Sequence, residues 1–246
     1  MQPNSATLEV CVDTAAGIAA CQTHADRIEL CSALDLGGLT PSAGLIEIAR
    51  ESAVPVHVMI RPRTGDFCYD AHDLSTRLHD IAAARRAGLT GVVLGASRAG
   101  RLNTNALADI RAAAGEMTCT LHRVIDLTED PLRALEDAIT LGFDRILTSG
   151  GALCAHDGIA GLTALQHAAA GRITVMAGSG VTAQNLGDIA ARTGIRAFHA
   201  SCSSPVAQGQ KEQAFGFAAA SRNRTDGDKI ARMRAALDAL PRPASP

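Results

Sequence analysis

The sequence is short of aromatic residues and of net charge. Its 246 residues include no tryptophan, one tyrosine and five phenylalanines, so it has almost no side chains on which exposed bases can stack. The formal net charge is −2 and the isoelectric point is about 6.4, which gives the chain no overall attraction for a polyanion. These two absences argue against nucleic acid as a partner.

Long apolar runs, a secretory signal and paired cysteines are missing as well. No apolar run reaches the length that crosses a bilayer, and the first seven residues show neither a basic nor an apolar signal region. The cysteines form no C-x-x-C pair and no zinc-type spacing; they are Cys11, Cys21, Cys31, Cys68, Cys119, Cys154 and Cys202. Scattered, unpaired thiols predict a reducing compartment. We therefore expect a cytoplasmic protein without a membrane partner.

Short apolar runs alternate with alanine-rich amphipathic segments along almost the whole chain. The runs that predict strands are 8–13, 26–31, 55–61, 91–95, 117–123, 143–148, 172–177 and 195–200. The segments that predict helices are 14–24, 41–52, 72–87, 104–114, 130–141, 159–169, 182–193 and 227–239. This α/β alternation predicts a parallel sheet, and the number eight favours a single (β/α)8 TIM barrel over an open, doubly wound sheet. We predict one domain over residues 1–246, with an irregular segment, 202–226, before the last helix.

Two strand-like runs, 8–12 and 28–32, each carry a carboxylate and a thiol two residues apart. Side chains alternate faces along a strand, so Glu9 and Cys11 share one face, as do Glu29 and Cys31. If the two strands are neighbours, two acids and two thiols meet on one surface. Buried acids need partners, so the pattern predicts either a catalytic or ligand-binding site or an ion-pair network. The thiols either bind a soft metal ion such as Cu(I) or pack as small apolar residues.

Further polar residues follow the other predicted strands, at the end where (β/α)8 barrels carry their active sites. His122 ends the fifth strand and Asp126 follows closely, so His122 is predicted to be a general acid or base that a carboxylate orients. Glu9, Glu29, His122 and Asp126 form the predicted catalytic set, although a structural role for the histidine stays open. His199 ends the eighth strand and receives no assigned role.

Groups suited to an anion follow the third, sixth and seventh strands. Two arginines flank a proline that stiffens the third strand end, and paired guanidinium groups bind carboxylate or phosphate. A glycine turn before a predicted helix is a common phosphate cradle. The predicted anion-binding residues are Arg61, Arg63, Ser149, Gly150, Gly178, Ser179 and Gly180.

Several of these segments resemble, in the same order, the copper homeostasis protein CutC family. They are Glu9-Val10-Cys11, 25–31, 37–42, Ile60-Arg61-Pro62-Arg63 with Gly65-Asp66-Phe67, His122-Arg123 with Asp126, 147–150 and 177–181. The likeness extends from about residue 7 to 204, and the Arg-Pro-Arg-x-Gly-Asp-Phe block is specific. The resemblance implies a cytoplasmic (β/α)8 barrel that is associated with copper tolerance and is often a homo-oligomer, for which we expect a dimer or tetramer. It also implies a Cu(I) site at Cys11 and Cys31.

Two functional hypotheses follow. In the first, the chain is a copper homeostasis protein whose cysteines hold Cu(I). In the alternative, it is an isomerase, lyase or hydrolase acting on a small anionic or phosphorylated substrate at the C-terminal face of the barrel. There the arginine pair and the 178–180 turn hold the anion, and a glutamate or His122 moves protons. The family resemblance favours copper, whereas the many ionisable residues around the thiols favour the enzyme.

Overall fold

The computed structural model describes residues 6–241, so residues 1–5 and 242–246 of the predicted domain lie outside the described part. The strands are β1 (Thr7–Val12), β2 (Arg27–Leu30), β3 (Val56–Met59), β4 (Gly91–Leu94), β5 (Ser97–Arg98), β6 (Arg101–Leu102), β7 (Thr118–Leu121), β8 (Arg145–Thr148), β9 (Thr174–Ala177), β10 (Ala197–Ala200), β11 (Ser203–Ala207) and β12 (Ser221–Thr225). The α-helices are α1 (Ala15–Cys21), α2 (Ala43–Ala49), α3 (Ala71–Arg86), α4 (Thr104–Ala114), α5 (Pro131–Thr140), α6 (Ile159–Ala169), α7 (Leu186–Thr193), α8 (Gln210–Ala214) and α9 (Gly227–Asp238).

Eight of the strands form a closed parallel barrel. Their order around it is β1-β10-β9-β8-β7-β4-β3-β2. The predicted (β/α)8 barrel is therefore confirmed, and the open sheet is excluded because β1 pairs with both β2 and β10. Every predicted strand range overlaps the observed strand.

Most helices begin where a short polar side chain accepts hydrogen bonds from the first free backbone N–H groups. Thr14 caps α1 and Asp130 caps α5, in which Pro131 takes the first position. A proline fits there because the N–H that it lacks has no partner within a helix. Among residues 6–241, no helix combines the length and the hydropathy needed to cross a membrane.

Helix α7 begins at Leu186 rather than at the predicted residue 182. The Asn185 side chain closes a turn over the residues before it. Its Oδ1 accepts from Thr182 N at 2.8 Å, and its Nδ2 donates to the Gly180 carbonyl at 2.8 Å. The chain between β9 and α7 is therefore a turn that follows the C-terminal end of β9.

The main apolar core lies between the barrel and the ring of helices. Outward-facing strand residues such as Val10, Ile28 and Val58 are fully buried there. Burial of each side chain stabilises the folded chain by about 1.5–3 kcal/mol. Among the described residues, two small apolar clusters inside the barrel lie apart from this core. They consist of Cys31, Met59 and Val93, and of Leu147, Met176 and Ala197. Much of the remaining interior is lined by polar side chains.

The segment predicted to be irregular, 202–226, differs from that prediction because most of it forms an antiparallel hairpin. β11 pairs with β12, and the short helix α8 lies in the connection between them. No side chain of either strand is buried: those of β11 are half-buried or exposed and those of β12 are mostly exposed. The segment therefore lacks the apolar alternation that predicts a strand. Phe215 and Phe217 stack in the same connection and are mostly exposed.

Candidate functional site

The two strands that carry Glu-x-Cys are neighbours, and their pairing brings both motifs together inside the barrel. Cys11 on β1 lies opposite Glu29 on β2, and Glu9 lies opposite His199 on β10. These positions share one face of their strands, so their side chains point inward. Cys31, directly after β2, has the same orientation as Glu29. The structure thus brings the two acids and two thiols together and adds a histidine.

Glu9 forms a buried ion pair with Arg27, whose Nε donates to Glu9 Oε2. Burial alone raises the pKa of the Glu9 carboxyl, but the charges of Arg27 and His199 outweigh burial and hold that pKa at about 2. Glu9 is therefore ionised at neutral pH. Its other oxygen, Oε1, is buried without a hydrogen-bond partner and lies 4.0 Å from His199 Nε2.

His199 and Glu29 form a second buried pair, with 3.0 Å between Nε2 and Oε2. The Cys31 thiol donates to the same Glu29 oxygen at 3.7 Å. Ligand atoms of Cys11, Glu29 and His199 lie within 4.8 Å of one another, and no other such group of His, Cys, Asp and Glu occurs in residues 6–241. Sequence reasoning therefore missed His199 as a member of the site. The sequence places His199 at the end of a predicted strand, which could have marked it as a candidate. Its contact with the acids, however, depends on the register of β10 with β1.

The charges of this group determine where its protons lie. Burial disfavours a charged His199, but the Glu29 carboxylate and Cys11 beside it raise the pKa of the imidazole well above its usual value. Burial and the adjacent Glu29 raise the pKa of the Cys31 thiol well above its usual value. At neutral pH the group therefore contains an imidazolium on His199 and a neutral Cys31 thiol. A metal ion that binds here must displace protons.

His57, to which the sequence assigns no function, also lies inside the barrel. It is opposite Glu29 on one side and Gly91 on the other. Burial lowers the pKa of its imidazole to about 3, and the neighbouring Glu9 carboxylate offsets only part of this effect. His57 is therefore a neutral group beside the two ion pairs.

The predicted contact between His122 and Asp126 is not formed. His122 is buried after β7, where its Nδ1 accepts from Val124 N at 3.2 Å and its ring lies 4.7 Å from the Phe67 ring. Its Nε2 has no hydrogen-bond partner in the described part of the chain. Burial, reinforced by nearby arginines, lowers the pKa of His122 to about 3. Proton transfer by His122 stays a prediction, without the orienting carboxylate that the sequence suggested.

Asp126 organises the loop that follows β8. It accepts from Ser149 N at 3.0 Å and from Gly151 N at 3.2 Å, and it also accepts from the Thr148 hydroxyl. It also forms an ion pair with Arg123 at 2.9 Å. The Ser149 hydroxyl, predicted to bind an anion, donates to this carboxylate.

The glycine-rich turns are also engaged with the protein itself. Gly150 has a φ of +74°, and a Cβ there would lie 2.1 Å from the Gly158 carbonyl oxygen, so the residue allows the loop to contact α6. Gly178 N donates to the Thr148 carbonyl at 3.0 Å. The Ser179 hydroxyl donates to the Leu153 carbonyl at 2.8 Å. Since α7 starts only at Leu186, no helix N-terminus directly follows the 178–180 turn.

Arg61 is buried and binds the backbone of its own neighbourhood. Its guanidinium donates to the carbonyls of Leu36, Gly38 and Gly65 at 2.9, 3.1 and 3.2 Å. It also lies over the Phe67 ring, 5.1 Å from the centroid. Arg61 thus ties the loop after β2 to the loop after β3.

Arg63 is partly exposed and is likewise engaged. It pairs with Asp73 at 2.9 Å and with Asp66 at 3.1 Å, and it lies over the Tyr69 ring. Anion binding by the two arginines stays a prediction, because an anion would have to compete with these contacts.

Comparisons with known proteins cover the part of the chain that contains these site residues. A model of the CutC family matches residues 6–204. A CutC family protein from Sinorhizobium medicae is 53% identical over 240 residues, which are 96% of this chain and 98% of the relative. One from Caulobacter vibrioides is 50% identical over 208 residues, 84% of this chain and 85% of the relative. A solved structure of CutC from Streptococcus agalactiae, described as a copper homeostasis protein, has a TM-score of 0.76 and 30% identity and covers 80% of this chain and 98% of its own. On this evidence, the chain belongs to the CutC family.

Proposed function

We propose that this chain binds a Cu(I) ion inside its barrel and acts in copper homeostasis. The observation that carries the proposal is the buried group of Cys11, Glu29 and His199, whose ligand atoms lie within 4.8 Å of one another. The name of the Streptococcus agalactiae protein, which concerns copper homeostasis, supports the choice of metal.

The donor atoms suit a soft ion. Cys11 and Cys31 supply thiolates and His199 supplies an imidazole, and thiolates in particular select Cu(I). Cys31 joins the group through Glu29, which its thiol contacts at 3.7 Å. A carboxylate oxygen is a hard donor, so we assign Glu29 to orienting the His199 ring through their 3.0 Å contact.

Two buried carboxylates lie beside the proposed ligands and favour a positive charge there. Glu9 Oε1 and Glu29 Oε1 are buried without partners, next to the groups that must lose protons. Metal binding therefore releases the protons of Cys31 and His199 to the solvent. The positive ion then takes the place of the imidazolium charge next to the buried acids.

An anaerobic competition titration of the full chain with Cu(I) and a chromophoric Cu(I) chelator tests this proposal. We expect one tightly bound Cu(I) per chain. The double variant Cys11→Ala/Cys31→Ala should lose tight binding because both thiolates are gone. Glu29→Gln, which removes the partner that orients His199, should weaken binding by about 10- to 100-fold.

Cys119→Ala is the matched control, because Cys119 is also a buried strand cysteine but its thiol contacts the Met117 carbonyl instead. This variant should bind Cu(I) like the wild type. Circular dichroism verifies that each variant is folded. Full Cu(I) affinity in the double variant, or tighter binding of Zn(II) than of Cu(I), would contradict the proposal.

We also propose a cytoplasmic location and a homo-oligomer, either dimer or tetramer. All seven cysteines are free, which suits a reducing compartment. Apolar side chains exposed on the surface, including Leu153, Phe215 and Phe217, support self-association. Light scattering on the purified chain measures its molar mass in solution. A monomer at micromolar concentration would contradict the proposed homo-oligomer.

A further inference from the structure

A cavity of about 250 Å³ lies beside the C-terminal ends of β9 and β10, outside the barrel interior. The turn after β9, the residues after β10 and one face of α9 form its walls. Its polar lining consists of Thr182, Gln184, Ser201, Ser203, Lys229 and Arg232. None of the residues of the proposed copper site lines it, and its two cations lie beyond the stretch that the family model matches.

The cavity is positively charged and has no acidic lining residue. Arg232 forms no ion pair or hydrogen bond with any residue of the described chain. Lys229 donates one hydrogen bond, to the Ser203 carbonyl, and an ammonium group has three donors. Both cations therefore have donors available to a ligand.

The carboxylate of Asp226, which interacts with the charge of Arg232, is engaged elsewhere. It accepts from the backbone N–H groups of Asp228 and Lys229 and thereby caps α9. Its other oxygen accepts from the Ser204 hydroxyl. Asp226 thus holds the start of α9, and with it Lys229, in position without pairing directly with Arg232.

Neutral donors complete the lining. The hydroxyls of Thr182 and Ser201 and the amide of Gln184 are exposed at the cavity. Asn185 fixes the turn that presents Thr182 and Gln184, through its hydrogen bonds to Thr182 N and the Gly180 carbonyl. Two cations together with several hydroxyl and amide donors match a tetrahedral, doubly charged oxyanion better than an apolar or cationic ligand.

We propose that this cavity binds phosphate, either as the inorganic ion or as the phosphate group of a small phosphate monoester. The site lies at the ends of the seventh and eighth barrel strands, where (β/α)8 barrels place phosphate groups. It adjoins the 178–180 turn that the sequence assigns to an anion. The cations that serve it are Lys229 and Arg232, whereas Arg61 and Arg63 are bound to their own loops.

Isothermal titration of the metal-free full chain with inorganic phosphate, at constant ionic strength, tests the proposal. We expect saturable binding by the wild type and a loss of affinity of about tenfold or more in Arg232→Gln and in Lys229→Gln, because each removes a charge-assisted hydrogen bond. Arg222→Gln is the matched control, since Arg222 is an exposed arginine on β12 that does not line the cavity. It should bind like the wild type.

Either of two results would overturn the proposal. One is the absence of saturable phosphate binding by the folded wild type, and the other is wild-type affinity in both Arg232→Gln and Lys229→Gln. Thermal unfolding in buffer without phosphate verifies that the variants are folded. Copper titrations do not enter this test, so the two proposals fail or succeed separately.

Discussion

Single glycines provide the space in which the buried histidines lie. Gly91 faces His57, and Gly95, just after β4, faces His122. A Cβ on Gly91 would lie 2.5 Å from His57 Nε2, and one on Gly95 would lie 2.4 Å from His122 Cε1. Neither approach is sterically allowed, so any side chain at these glycines would displace an imidazole. Each ring is therefore enclosed by its own strand neighbour and remains neutral.

His122 is expected to make the folded chain sensitive to mild acid. Burial lowers its pKa from 6.5 to about 3, so the unfolded chain takes up a proton that the folded chain does not. Its contribution to the free energy of unfolding is fully present above pH 6.5 and falls by up to about 1.4 kcal/mol per pH unit toward pH 3. We expect His122→Asn, whose amide oxygen can still accept from Val124 N, to flatten this slope. Urea unfolding between pH 6.5 and about 5 measures it.

The slope should be reduced rather than abolished, because the pKa of His57 is also about 3 in the folded chain. His72→Asn, at an exposed position on α3, serves as the control and should retain the wild-type slope. The comparison uses slopes rather than absolute stabilities, since the asparagine also loses packing against Phe67. A wild-type slope in His122→Asn would refute this account of the buried ring.

Among the elements, α6 and the loop after β8 depend on glycines at their contact. A Cβ on Gly158 would lie 1.8 Å from the Ser149 carbonyl oxygen, and one on Gly161 would lie 2.2 Å from the Gly150 carbonyl oxygen. The loop backbone therefore lies directly on the first turn of the helix. This close contact explains why residues 150 and 161 are glycines.

Gly161→Ala is expected to destabilise the chain by about 1–3 kcal/mol, because the helix or the loop must move to admit a methyl group. Gly187→Ala in α7 is the control, since a Cβ there meets no atom within 4 Å. It should stabilise the chain by about 0.5–1 kcal/mol through helix propensity. Chemical denaturation compares the two, and equal stabilisation by both alanines would show that the contact with α6 is not tight.

For the molecule as a whole, α9 closes the ring of helices, and the β11–β12 hairpin lies beside α1. The apolar face of α9, which consists of Ile230, Met233 and Leu237, is buried, and the helix packs against β1, α1 and α7. By contrast, most of the hairpin and its connection is exposed. Stability should therefore depend on the helix and hardly at all on the end of the hairpin.

Two shortened chains test the different contributions of α9 and of the hairpin to stability. A chain that ends at residue 204 lacks α9 and therefore no longer buries Ile230, Met233 and Leu237. The lost burial lowers the free energy of unfolding by about 5–9 kcal/mol, which is comparable to the whole stability of a domain. We expect it not to unfold cooperatively. A chain in which an Asn-Gly turn replaces residues 209–219 should retain wild-type stability within about 0.5 kcal/mol. Thermal unfolding distinguishes them, and a cooperative transition in the first chain would contradict the role of α9.

Much of the barrel was predictable, because each strand of a buried parallel sheet is a short apolar run between amphipathic helices. The inward orientation of Glu9 with Cys11 also followed from the alternation of side chains along a strand. The hairpin at 203–225 was not predictable, since neither of its strands has a buried side chain. Nor were the carbonyl contacts of Arg61, because they depend on how two loops meet.

The sequence by itself determined the eightfold alternation of strands and helices and the pairing of acid and thiol on each of two strands, because both follow from local periodicity. Only the tertiary structure decided which side chains pair with these buried acids. Arg27 meets Glu9 through the register of β1 with β2, and His199 meets Glu29 across 170 residues of chain because closure of the barrel brings β10 beside β1. Local pattern sets the direction of a side chain, whereas register and closure set what it contacts.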